Sequence, residues 1–119
     1  MTEAELQALC KEWQDVLRLR DWDVQAELVR YWEIPDKKGE TAFLSNNQRW
    51  AKVRLRVHDD TPTADNFAPT DLEQVLVHEL LHVKFHDCER DIEELYGRDL
   101  HRVVEELADA LVMLKRRTP

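Results

Sequence analysis

The chain has 119 residues, 43% of them apolar and 35% charged, and a formal net charge of −8. That length builds one compact core across residues 1–119 and leaves no room for a second domain. The acidic balance argues against a general nucleic-acid or anionic-membrane binder, which needs a basic footprint. No apolar run approaches the length of a membrane span and the N-terminus lacks an apolar signal core, so the expectation is a cytoplasmic protein without nucleic-acid or membrane partners. Cys10 and Cys88 stand far apart and outside any paired spacing, which fits two free thiols in a reducing compartment.

Thr2-Glu3-Ala4-Glu5 reads as a capping box. Leu6, Leu9, Cys10, Trp13, Val16 and Leu17 follow at three- and four-residue spacing, so residues 3–18 form an amphipathic helix with Cys10 on its apolar stripe. From position 22 the period becomes two: Trp22, Val24, Ala26 and Leu28 alternate with polar residues, predicting a strand that runs to 34 before Pro35-Asp36-Lys37-Lys38-Gly39 turns the chain. Trp22 and Trp32 then pack on the sheet. A short apolar segment at 41–44, turn formers at 45–48 and a second alternation at 50–57 complete a small, mainly antiparallel three-stranded sheet in meander order. Lys52, Arg54 and Arg56 share one face of its last strand, where solvated cations protect against aggregation, and His58 ends that strand at the surface.

Residues 59–69 carry no regular period and read as a loop. Thr70-Asp71-Leu72-Glu73 opens the next helix with a second capping box. Inside that helix stands His78-Glu79-Leu80-Leu81-His82. At 3.6 residues per turn the two imidazoles lie one above the other and can share a metal ion, while Glu79 sits where it can take a proton from a metal-activated water. Shuffling a chain of this composition produces the pattern in roughly 2% of cases, so the motif carries weight. Its flanks are apolar all round, which marks a buried helix whose histidines and glutamate need partners. His86 lies one turn further on, but histidines at 78, 82 and 86 span about 12 Å along the axis, too far for one ion, and His86 is read as a cap or surface residue.

A last helix over residues 98–116 follows Gly97, with Leu100, Val103, Val104, Leu107 and Leu111 on its apolar side. A catalytic zinc takes three protein ligands and keeps a fourth position open. The last helix offers His101, Glu105, Glu106 and Asp109 as candidates for the third, and helical phase alone does not choose among them. For Glu105 to reach the histidines, the metal helix must bend or stop before about residue 90, with 89–97 as the connection.

The pair formed by His78-Glu79-Leu80-Leu81-His82 and Glu105-Glu106-Leu107-Ala108-Asp109 resembles the gluzincin zinc peptidases, and in its E-x-x-A-D form the ImmA/IrrE-like peptidases. The resemblance implies an α+β, minimal zincin-like core. It further implies zinc held by His78, His82 and Glu105, Glu79 as general base, Ala108 giving room for close helix approach, and Asp109 orienting one histidine. The substrate implied is a peptide or protein, bound in extended form along the sheet edge. Phe85 and Cys88 stand where the metzincin pattern has glycine and histidine, so that branch does not fit. His101 and Tyr96 are positional candidates for stabilising the oxyanion. Two other readings stay open: a non-catalytic, zinc-stabilised interaction protein, and an SprT-like protease with His101 as the third ligand.

Overall fold

The computed structural model describes residues 1–45, 47–57, 71–96 and 99–117. His58, the 59–69 loop, Thr70 and the Gly97 stop lie outside the described residues, as does the side chain of Tyr96. The elements are helix α1 (Glu3–Val16), strands β1 (Asp23–Val29), β2 (Gly39–Ser45) and β3 (Trp50–Arg56), and helices α2 (Leu72–Lys84), α3 (Glu89–Tyr96) and α4 (Asp99–Arg117). In the described residues the fold is α+β, with a three-stranded mixed sheet that follows an N-terminal helix in the chain and precedes three further helices.

Helix α1 begins as its sequence predicts. The Thr2 hydroxyl accepts from the Glu5 amide, and the Glu5 carboxylate accepts from the Thr2 amide. It ends sooner than expected, because Leu17 caps it and Arg18 takes a positive φ of 59° that lets Leu19 bond back to Gln14. Gln14 is buried there and donates to the carbonyls of Leu19 and Trp22, fixing the turn into β1.

The sheet departs from the expected meander. Its order is β1-β3-β2, with β3 in the centre, antiparallel to β2 and parallel to β1. Alternation is the same in both kinds of ladder, so it cannot report which partner a strand chooses. β1 also stops at Val29 rather than 34. Residues 30–37 fold into turns, with Glu33 bonding back to Arg30 and Lys37 to Ile34, and Trp32 is left 60% exposed against the Arg30 guanidinium. Trp22, in contrast, is buried as expected. The cations of β3 are matched by neighbours: Arg54 pairs with Glu27, Glu33 and Glu40, Lys52 approaches Glu27, and Arg56 is buried and donates to the Pro35 carbonyl.

Ala51, Val53 and Leu55 turn the buried side of β3 toward the helices. α1 packs on β1, α2 on β2 and β3, and α4 on α2. One apolar cluster joins them, from Leu6, Cys10 and Trp13 through Leu76 and Leu80 to Val104, Ala108 and Val112. Burial pushes the Cys10 thiol up to about 11, as expected of a cysteine that acts as a small core residue. Cys88 is exposed, and both cysteines are free thiols.

Candidate metal centre

Helix α2 is capped by Asp71, whose carboxylate accepts from the Gln74 amide, one residue later than the capping box predicts. Residues 75–81 are buried without interruption, so His78 and Glu79 are carried into the domain, each only 7% exposed. The helix ends at Phe85, four turn residues reverse the chain, and α3 starts at Glu89. The required break is therefore present, although most of the expected connection is itself helical. α4 returns antiparallel to α2, bringing Arg116 to Asp71 at one end and Glu105 and His101 to His78 further along.

The two histidines of the motif face each other through Nε2, 3.2 Å apart. Each turns its other ring nitrogen to a carboxylate: His78 Nδ1 lies 2.6 Å from Glu105 Oε2, and His82 Nδ1 lies 3.0 Å from Glu89 Oε1. A carboxylate accepts, so each Nδ1 carries the proton and each Nε2 of a neutral ring presents its lone pair. Two such lone pairs repel unless a shared proton or a metal ion lies between them. Nitrogens at zinc's usual ligand distance on a tetrahedral ion stand about 3.3–3.4 Å apart, close to the separation found. His101 completes the group: its ring centroid is 4.9 Å from that of His78 and 5.9 Å from that of His82. One candidate ligand atom from each of the three rings lies within 4.8 Å of the others, so the cluster could hold a metal ion.

Charge favours the same conclusion. Burial pushes the His78 imidazole below the usual histidine range, outweighing the upward pull of Glu79 and Glu105. Around these rings stand Glu79, Glu89 and Glu105, and among the described residues none of them is paired with a lysine or arginine. Asp36 and Glu40 also line the pocket, against Lys37 and Lys38, so acidic groups outnumber cations there and a divalent ion would offset the excess. The pocket is a cleft of about 570 Å³, lined by residues 36–38, β2, α2, Glu89 and the start of α4.

The sequence-derived site residues divide as follows. His78 and His82 stand together with Glu79 on the cleft. Glu105 also reaches it, but both of its oxygens are engaged, Oε2 with His78 and Oε1 with Gln74 Nε2 at 3.0 Å. Asp109 is exposed and, among the described residues, bonds to neither histidine; Glu105 and Glu89 occupy the orienting role foreseen for it. Glu106 is exposed. His86 stacks on Phe43 with ring centroids 3.8 Å apart and is not part of the metal group. Cys88 is exposed and outside that group as well.

Sequence reasoning missed three participants: Gln74, Glu89 and Thr41. Gln74 lies one turn before His78 on the same face, a signal that was available. Glu89 becomes a neighbour of His82 only because the chain reverses between them. Thr41 Oγ1 donates to Glu79 Oε1 at 2.8 Å, from a strand distant in sequence. No helix among the described residues is long and apolar enough to cross a membrane. No family model, curated protein or solved structure matches this chain.

Proposed function

We propose that the protein is a small zinc-dependent peptidase whose ion is held by His78, His82 and His101, with Glu79 as general base. The observation that carries this reading is the pair of Nε2 atoms 3.2 Å apart, each ring fixed from behind by a carboxylate, with a third histidine beside them and Glu79 on the same cleft. His101 is taken as third ligand because its ring groups with those of His78 and His82, while Glu105 lies against His78 Nδ1 and Gln74. A carboxylate behind a ligating imidazole fixes its tautomer and ring orientation, the role read here for Glu105 and Glu89.

A bound zinc supplies Lewis acidity toward a peptide carbonyl and makes a water acidic enough to attack at neutral pH. The chain's own residues supply the rest. Glu79, nearly buried beside the histidines, accepts the proton of the attacking water and returns it to the departing amine. Among the described residues β2 pairs only with β3 and borders the cleft, so an extended peptide can add along its other edge and lie across the site.

The test is zinc content measured together with hydrolysis of a mixed peptide library. Wild type should hold about one zinc per chain and cut peptides. Glu79→Gln should hold the same zinc and cut none, since glutamine matches the shape but accepts no proton. Hydrolysis that persists in Glu79→Gln rejects the base assignment. Zinc bound by both without hydrolysis by either moves the reading to a zinc-stabilised interaction protein.

A further inference from the structure

β2 meets α2 closely because of one residue. Gly39, Thr41 and Phe43 pair with Leu55, Val53 and Ala51 of β3, and those partners are fully buried, so these three positions face the helices. A Cβ at Gly39 would lie 2.7 Å from Val75 Cγ1, so any larger residue there would push the strand or Val75 aside. The glycine therefore lets the strand rest against the helix, and two residues on, one helical turn after Val75, the approach brings Thr41 onto Glu79. The Thr41 hydroxyl lies 2.8 Å from Glu79 Oε1 and 3.4 Å from the Glu79 carbonyl oxygen. Its single proton goes to the closer, charged acceptor. Among the described residues no other group donates to this carboxylate, which is almost fully withdrawn from solvent.

We propose that Thr41 is the positioning residue for Glu79: its hydroxyl ties down one carboxylate oxygen and leaves the other presented to the cleft beside the histidines. The inference rests on the peptidase reading given above, and it adds a residue that touches neither the metal group nor, in this role, the reacting atoms. A carboxylate with one anchored oxygen keeps one rotamer, so the base waits in place when substrate arrives. Because Thr41 belongs to the edge strand that would hold an extended substrate, the same strand sets both the substrate's line and the base's direction.

The experiment compares Thr41→Val, which keeps the shape and loses the hydroxyl, with Thr41→Ser, which keeps the hydroxyl. Hydrolysis of the mixed peptide library, zinc content and the 13C signal of the Glu79 carboxyl are measured on each. That signal is identified in glutamate-labelled protein by its loss in Glu79→Gln. Thr41→Val should lower kcat about ten- to a hundredfold with KM and zinc content close to wild type, as expected for losing a hydrogen bond to a charged group. Thr41→Ser should recover most of that loss. The Glu79 carboxyl signal should move in the valine variant and stay in the serine variant. An unmoved signal in Thr41→Val, an undiminished kcat, or a serine variant as slow as the valine one overturns the proposal. If wild type cuts nothing, the peptidase reading has failed instead, and the carboxyl signal alone still decides whether Thr41 holds Glu79.

Discussion

Both halves of α2 gather carboxylates, and they neutralise them in opposite ways. At the first turn, Glu73 accepts from Trp13 Nε1, Lys115 and Arg116, while Asp71 receives a two-point bond from Arg116. Negative charge there meets positive charge from the last turn of α4. Further along, Glu79, Glu89 and Glu105 meet a hydroxyl, two imidazoles and an amide. The first arrangement closes on itself. The second leaves carboxylates and imidazole nitrogens facing a cleft, where three histidines could hold a metal ion. α4 brings the cations Lys115 and Arg116 to the first turn but a carboxylate, Glu105, and His101 to the second region, so part of the difference lies in which residues it carries at its two ends.

The largest effect should separate the two halves outright. His101→Ala should lose stoichiometric zinc, and chelation of wild type should lower its stability by about 4 kcal/mol if free zinc stands a thousandfold above its dissociation constant. The same chelation should leave a Glu73→Gln variant with a loss of equal size, because the first turn takes no part in binding. Zinc retained by His101→Ala but lost from Glu105→Gln would reverse the assignment of ligand and holder.

A smaller effect sharpens the role of the carboxylates behind the rings. Glu105→Gln and Glu89→Gln should each weaken zinc affinity by about ten- to a hundredfold while one zinc per chain still binds at saturation. Competition with a chromophoric chelator reads both. Gln74→Ala, one bond further from the ion, should weaken it less than Glu105→Gln does; an equal or larger loss would show that Gln74 is more than a prop for Glu105.

How much of this could be read in advance follows the range of each interaction. The helices, the Thr2 cap and the pairing of His78 with His82 depend on residues a few positions apart, and the 3.6-residue period reports them directly. The sheet order does not, because β1 reaches past β2 to pair with β3 and alternation is blind to the choice. The third partner of the histidines turns on how α4 is rotated against α2. Sequence phase groups His101 with Glu105 on one face, and only packing decides that the carboxylate meets His78 Nδ1 while the His101 ring stands 4.9 Å from the His78 ring. Glu89 and Thr41 require the turn after Phe85 and the close approach at Gly39, both products of the tertiary fold.

Next in size is the first turn itself. The Glu73 side chain is 13% exposed and accepts from three groups, so Glu73→Gln should cost about 1–3 kcal/mol of stability at neutral pH without changing zinc content. Urea unfolding with the metal saturated measures it. A loss of zinc in that variant would mean the two halves of α2 are coupled and would break the contrast between them.

The smallest effect is the pH dependence of that same clamp. The hydrogen bonds from Arg116 hold Asp71 below the ordinary carboxylate range; burial pushes Glu73 up, and the bonds from Lys115 and Trp13 more than reverse it. Both groups are thus more acidic folded than unfolded, so the unfolded chain binds protons first as pH falls. Their contribution is complete above the unfolded range of about 3.9–4.3 and is lost as pH drops through it toward the lower folded values. Asp71→Asn and Glu73→Gln should therefore be less stable than wild type at pH 7, and the gap should narrow as pH falls below about 4. Asp71 and Arg116 are both largely solvated, so the Asp71→Asn gap should be the smaller of the two. Thermal unfolding of metal-free protein across this range isolates the clamp from the histidines, and a gap that stays constant down to pH 2 would show that the stabilisation at the first turn comes from packing rather than from charge.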